Sequence, residues 1–264
     1  MGIVVITPTY NERENIGPLT REIFTAIPGS RVLIVDDNSP DGTREEVHRL
    51  QETHPNLRLL SRSGKLGFGS AYLAGFREVL DDPFTETVVM MDADLSHDPR
   101  YLPEMIAALQ NLDVVIGSRY TVGGSVEGWN FRRRMLSLFG NTYARLVTGM
   151  PIRDCTAGFI ALRSPVMRML LESSMEMTGY AFLMELKHKV WQWRLRMGEL
   201  PITFRDRTAG SSKISNNIIR EGIQAPWILR RQRSRPALRG TVAAPSGTVR
   251  LDSSSKGSSL GADV

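Results

Sequence analysis

Residues 87–97 read Thr87-Val88-Val89-Met90-Met91-Asp92-Ala93-Asp94-Leu95-Ser96-His97. A short apolar, β-branched run ends abruptly in two carboxylates separated by one small residue. Such a run, bounded by polar residues, predicts a strand over Thr87–Met91 that is buried on both faces. Working outward, Ile3–Thr7, Val32–Val35, Leu57–Leu60 and Val114–Ile116 have the same character. Between them, helical spacing of apolar residues covers Glu14–Ala26, Thr43–Thr53, Gly69–Leu80 and Pro99–Leu109. Continuous apolar strands alternating with amphipathic helices predict an α/β fold, a mostly parallel sheet flanked by helices. Ligands of such sheets bind beyond the carboxyl ends of the strands. Polar segments follow three of the strands there, at Thr7–Glu12, Asp36–Gly42 and Asp92–His97.

The second half is less regular. Gly123, Gly124 and Gly128 mark Tyr120–Trp129 as a loop, and Phe131–Val147 reads as a helix opening on Arg132-Arg133-Arg134. Asp154–Arg163 and Glu199–Phe204 are strand candidates, and Tyr180–Trp193 is a helix candidate. Ser215–Arg231 places Ile218, Ile219, Ile223, Trp227 and Ile228 on one side of a C-terminal helix. From Pro236 onward aromatics are absent and Ser, Gly and Pro dominate, which predicts a disordered tail over 233–264.

Charge is divided unevenly along the 264 residues. Residues 1–118 carry 10 Lys/Arg against 18 Asp/Glu, residues 119–229 carry 16 against 8, and residues 230–264 carry 7 against 2. The formal net charge of +5 therefore resides in the tail, and an even basic coat for nucleic acid is excluded. Cys155 is the single cysteine, so an internal disulfide and a Cys-cluster zinc site are excluded and a reducing compartment is expected. The start, Ile3-Val4-Val5-Ile6 followed by Thr7-Pro8, reads as a strand and not as a signal peptide. No apolar run reaches the ~18–20 residues that would span a bilayer.

Asp92-Ala93-Asp94 is the sharpest chemical signal. Carboxylates at i and i+2 of an extended segment point the same way, and their repulsion is relieved by a cation between them. Hard oxygen ligands suit Mg²⁺ or Mn²⁺, which keep part of their coordination for phosphate oxygens and water. The glycine-rich G-x-G-x-x-G and phosphate-loop G-x-x-x-x-G-K-[ST] patterns are absent, as is a G-x-S-x-G elbow. Of the four histidines, only His97 lies beside a candidate site.

Taken together, Pro8-Thr9-Tyr10-Asn11-Glu12, Val35–Thr43 and Met91–His97 resemble the family 2 glycosyltransferases of GT-A fold, which is Rossmann-like. Lys65–Tyr72, Gly117–Tyr120, Gly128-Trp129 with Arg133, Asp154–Phe159 and Arg207 through Gly210–Lys213 narrow the likeness to the polyprenol-phosphate (dolichol-phosphate) mannosyltransferase branch. The resemblance spans roughly residues 3–232 in order. It implies a catalytic domain over 1–232, with a nucleotide-sugar half (1–118) and an acceptor half (119–232).

The resemblance also implies roles residue by residue. Pro8, Tyr10, Glu12, Val35 and Asp37 match positions that hold the donor nucleoside. Asp92, Ala93 and Asp94 match the metal- and diphosphate-binding D-x-D, and Ser96 stands where some relatives place a further metal ligand. Arg119, Arg207 and Lys213 are assigned to donor phosphates and Arg133 to the acceptor phosphate, with Asp94, Arg119 and Arg133 the expected catalytic set. Asp154 is a base if the acceptor is a hydroxyl; with a phosphate acceptor it orients Arg133 or its loop. The implied reaction is inverting transfer of mannose from GDP-mannose to a polyprenyl phosphate, dependent on Mg²⁺ or Mn²⁺. A phosphomonoester has its second pKa near ~6 and is already an oxyanion at neutral pH, so it needs no general base. The expected location is the cytoplasmic face of a membrane, held peripherally, with a membrane protein as an allowed partner. A UDP-sugar donor, another lipid or glycan acceptor, and a sugar nucleotidyltransferase are the alternatives.

Overall fold

Seven strands carry the domain, and their order explains where the polar segments meet. The computed structural model describes residues 2–177, 179–206, 216–232 and 249–250. Strands β1 (Ile3–Thr9), β2 (Arg31–Asp36), β3 (Leu57–Ser61), β4 (Thr87–Met90), β5 (Val114–Ser118), β7 (Ile160–Arg163) and β8 (Met197–Pro201) form one sheet in the order β8-β5-β7-β4-β1-β2-β3. Val249–Arg250 (β10) adds a two-residue parallel rung beyond β8. All neighbours are parallel except β7, which runs antiparallel to both β4 and β5. The expected mostly parallel α/β sheet is borne out. Of the tail 233–264, only Val249–Arg250 lies within the described residues.

The helices are α1 (Arg13–Ala26), α2 (Thr43–Gln51), α3 (Phe68–Leu80), α4 (Leu102–Ala108), α5 (Phe131–Thr148), α6 (Ser164–Glu172), α7 (Ala181–Gln192) and α8 (Asn216–Arg231). They cover both faces of the sheet with two apolar clusters. One is built on Val4, Ile6, Val88 and Met90 with Tyr72, Phe76 and Phe182. The other is built on Val5, Val89 and Met91 with Ile16, Leu19 and Met105. Alternate residues of the same strands thus serve opposite faces, which is why those strands read as unbroken apolar runs.

Several expectations need correction. Tyr120–Trp129 is not loop throughout, because Ser125–Glu127 (β6) pairs in parallel with Thr203–Arg205 (β9) in a separate two-stranded sheet. Glu199–Phe204 is accordingly split into β8 and β9. Only Ile160–Arg163 of Asp154–Arg163 is strand. The Pro99–Leu109 helix opens as a 3₁₀ turn, Pro99–Tyr101, before α4. Helix α6 had no counterpart in the sequence reading.

Candidate active site

The parallel register brings the ends of β1, β2 and β4 to one edge. Thr9 pairs with Asp36, and the Thr9 hydroxyl donates to Asp36 Oδ1 at 3.1 Å. Each strand exits through a turn with one non-glycine residue in the left-handed region: Asn11 (φ 63°), Asn38 (φ 60°) and Leu95 (φ 60°). Asparagine tolerates that region through local hydrogen bonding; leucine does not, so strain of about 1 kcal/mol is held at Leu95. The turn around it is closed from both ends. The Ser96 N–H and hydroxyl both donate to Asp94 Oδ1 (3.1 and 2.6 Å), and the Asp92 N–H donates to His97 Nδ1 (3.1 Å). His97 therefore carries its proton on Nε2. Burial pushes its pKa down, and its ring stacks on Phe159 with centroids 5.0 Å apart.

Asp92 and Asp94 face a cavity of about 710 Å³. Its polar lining also includes His97, Arg119, Arg133 and Thr156. Its apolar lining comes from Leu136, Phe139 and Tyr143 of α5, Leu183 and Met184 of α7, and Ile223 of α8. Gly158 lies in the wall where a Cβ would sit 3.6–3.7 Å from His97, Leu183 and Asp92.

The two arginines are held differently. Arg119 has 9% of its side chain exposed and donates from Nε and Nη2 to Asp154 (2.8 and 2.7 Å), and from Nη2 to Thr156 Oγ1 (2.7 Å). Its backbone N–H adds a third bond to Asp154 at 3.0 Å. Burial alone would raise the Asp154 pKa, but the Arg119 cation and its hydrogen bonds outweigh this and hold the carboxyl below its ordinary range. Asp154 is thus a fixed anion, not a base, and it orients Arg119 and not Arg133 as expected. Arg133 lies over the Trp129 ring at 4.2 Å and pairs with Asp206 at 3.0 Å.

The residues expected to hold a nucleoside lie on the same sheet edge, outside the cavity wall. Pro8 faces Val35 in the β1–β2 register, and Tyr10 is exposed with the Lys65 ammonium 4.3 Å over its ring. Glu12 accepts from Asn15 Nδ2 at 2.7 Å, and Asp37 pairs with Arg62 at 2.7 Å. Ala93 is buried between the two carboxylates of D-x-D. Ser96 is buried behind Asp94, where its hydroxyl fixes that carboxylate; it is not part of the cavity wall. Arg207 and Lys213 lie outside the described residues. Trp129, Tyr180 and Phe204 line the cavity without having been singled out as site residues. Tyr180 is exposed and stacks on Phe68 at 5.1 Å.

The donor set fits a hard divalent cation. Two carboxylates line the cavity, and no group of three or more His, Cys, Asp or Glu able to hold a metal occurs among the described residues. A cation held by only two protein carboxylates takes its remaining ligands from phosphate oxygens and water, as Mg²⁺ and Mn²⁺ do.

Comparison with known proteins agrees with this geometry. The family described as Glycosyl transferase family 2 matches residues 4–171. Over 94% of the chain and 91% of the relative, identity is 40% to the polyprenol monophosphomannose synthase of Mycolicibacterium smegmatis. Identity is 38% to the undecaprenyl-phosphate mannosyltransferase of Micrococcus luteus, over 84% of this chain and 91% of that one. It is 37% to the dolichol-phosphate mannosyltransferase of Pyrococcus furiosus, over 84% of this chain and 61% of that one. Among solved structures, glucosyl-3-phosphoglycerate synthase from Mycobacterium tuberculosis, with Mn²⁺ and UDP-glucose, superposes with a TM-score of 0.62. That match covers 87% of this chain and 79% of that one at 18% identity, so it speaks for the shared fold.

Proposed function

Because the chain belongs to glycosyl transferase family 2 and is a glycosyltransferase, we propose that it moves mannose from GDP-mannose to a polyprenyl monophosphate. The observation that carries this reading is the mixed lining of the cavity, which combines carboxylates and arginines with a larger apolar wall. An anionic lipid needs cations and an apolar wall in one site, and Arg119 and Arg133 share the cavity with Leu136, Phe139, Leu183 and Ile223. Its relatives' substrates, named as polyprenol, undecaprenyl and dolichol phosphates, are molecules of that kind.

Asp92 and Asp94 would hold Mg²⁺ or Mn²⁺, which when bound supplies charge neutralisation for the leaving nucleoside diphosphate. The chain's own contribution is positioning. Arg133, made rigid by Trp129 and Asp206, holds the acceptor phosphate; Arg119, made rigid by Asp154 and Thr156, faces the donor phosphates. Arg207 and Lys213 are proposed as further donor-phosphate contacts, and Pro8, Tyr10, Glu12, Val35 and Asp37 as the nucleoside cradle. The acceptor oxyanion attacks the anomeric carbon from the side opposite the departing diphosphate and inverts it. No proton has to be removed, so Asp154 can stay committed to its bonds with Arg119. The test is transfer of radiolabel from GDP-mannose and from UDP-glucose, with Mn²⁺, to a short polyprenyl phosphate and to the free polyprenol. Label is expected only from GDP-mannose to the phosphate. Transfer from UDP-glucose alone would reassign the donor, and transfer to the alcohol would reassign the acceptor chemistry.

The same reading places the enzyme against a membrane, proposed here as its cytoplasmic face. No helix among the described residues is long and apolar enough to cross one. Helix α5 nevertheless turns Phe131, Met135, Leu138 and Leu146 to solvent, and α8 adds Trp227 and Ile228. Residues 131, 135, 138 and 146 recur at helical spacing on one stripe, and Phe139 at its edge reaches the cavity. Exposed Arg132, Arg134, Arg145, Arg220, Arg230 and Arg231 surround this face. Near an anionic bilayer each is worth about 1 kcal/mol, added to burial of the apolar stripe. Phe131→Glu and Leu146→Glu are expected to weaken flotation with phosphatidylglycerol vesicles by about tenfold each. Transfer to a detergent-dispersed short acceptor should be retained. Unchanged flotation of both variants would remove α5 from the membrane contact.

A further inference from the structure

Residues 153–158 form neither helix nor strand, yet Asp154, Cys155, Ala157 and Gly158 are buried. Irregular backbone inside a protein must find hydrogen-bond partners. Here they are side chains from three separate elements. Glu199 on β8 accepts from the N–H groups of Arg153 and Asp154, both at 2.9 Å. Asn141 on α5 accepts from the Thr156 N–H at 3.2 Å. Lys187 on α7 donates to the carbonyls of Cys155 (3.0 Å) and Ala157 (2.6 Å).

Lys187 is fully buried, lies outside the cavity wall and has no part in the chemistry described above. Burying an ammonium is costly unless it is paired and bonded. Its surroundings meet that condition: Asp154 and Glu199 are anionic, Arg119 is cationic, and the four formal charges cancel. The loop it grips has two outward tasks. Asp154 and Thr156 hold the Arg119 guanidinium, while Thr156, Ala157 and Gly158 form cavity wall.

We propose that Lys187 is a positioning residue for glycosyl transfer, clasping loop 153–158 so that Asp154 and Thr156 present Arg119 to the donor phosphates. The role assigned to Arg119 rests on the function proposed above; the clasp itself does not. Cys155, the only cysteine and buried within the gripped loop, reports on it directly. Its thiol is pushed up to about 12 by burial, so reaction with a disulfide reagent requires the loop to open.

Lys187→Met keeps the length of the side chain and leaves the carbonyls of Cys155 and Ala157 without their donor. In the folded variant, labelling of Cys155 by dithionitrobenzoate at pH 7 is expected to accelerate about tenfold. The kcat for mannose transfer should fall by about tenfold or more, and GDP in the presence of Mn²⁺ should bind more weakly because Arg119 is no longer held toward its phosphates. Lys187→Arg, which keeps charge and donors, should lie between the variant and the wild type in both readouts; it also carries the test if Lys187→Met does not fold. Labelling at the wild-type rate in Lys187→Met would overturn the clasp. Faster labelling with unchanged kcat would overturn its role in transfer. If the wild type transfers no mannose, the function proposed above fails while the labelling rates still decide the clasp.

Discussion

Asp94→Asn is expected to lower mannose transfer about a thousandfold, equivalent to about 4 kcal/mol of transition-state stabilisation. The argument rests on how little else the substitution disturbs. Asn retains an oxygen where Asp94 Oδ1 accepts the two Ser96 bonds, so the turn through Leu95 keeps its closure. What is lost is one of the two carboxylate charges lining the cavity. Melting temperature should therefore stay close to wild type while calorimetric binding of GDP loses its dependence on Mn²⁺. Ser96→Ala, which removes only a bond that orients the carboxylate, should cost about tenfold. A variant Asp94→Asn with near-normal transfer would take the acidic pair out of catalysis. A large loss of melting temperature would show that the carboxylate serves the fold instead.

Asp154→Asn is expected to act on fold and activity together. Arg119 and Asp154 are a buried, doubly bonded pair, and removing one charge strands the other in a medium that solvates it poorly. Breaking such a pair costs about 3–5 kcal/mol, more than the pair itself contributes net. The urea midpoint should fall by the corresponding amount, and transfer should fall with it because Arg119 loses its orientation. Arg119→Lys separates the two effects. It keeps the charge, so stability should suffer less, but a single ammonium cannot span both Asp154 oxygens and Thr156 Oγ1 at 2.7–2.8 Å. Transfer in Arg119→Lys should drop about a hundredfold or more. Equal stability losses in both variants would mean that Arg119 is not left as an uncompensated charge in Asp154→Asn as argued.

The parallel part of the sheet and the D-x-D turn were legible because each announces itself locally. Val88, Val89 and Met90 are apolar whichever face they serve, and the carboxylates follow them directly. The acceptor side was harder to read for a physical reason. Asp154–Phe159 is apolar enough to pass for strand, but its backbone is satisfied by Glu199, Lys187 and Asn141, each brought from a different part of the chain. Spacing carries no trace of such bonds. The same holds for the pairing of Arg119 with Asp154, 35 residues apart, and for the three-residue strands β6 and β9. Phe131, Met135, Leu138 and Leu146 fall on one stripe in the sequence as well. Periodicity reveals that such a stripe exists, not whether core or solvent faces it. Ser96 could be seen to stand near the carboxylates, but only its bond to Asp94 shows on which side of them it acts.

Strand β7 has a consequence for how the polypeptide is made. It occupies the place between β4 and β5, yet it comes after both of them in the chain. Until Ile160–Arg163 has been synthesised, β4 presents an unpaired edge and β5 has no neighbour in the sheet. A nascent chain that ends at residue 118 thus contains all the residues proposed to cradle the donor nucleoside but only a broken sheet to mount them on. The reversed strand is the last piece inserted into the middle, so the donor-binding edge becomes rigid only when the acceptor-side sequence arrives. A released fragment ending at residue 118 should be open to proteolysis within Val114–Ser118, whereas one extended past β8 should resist it.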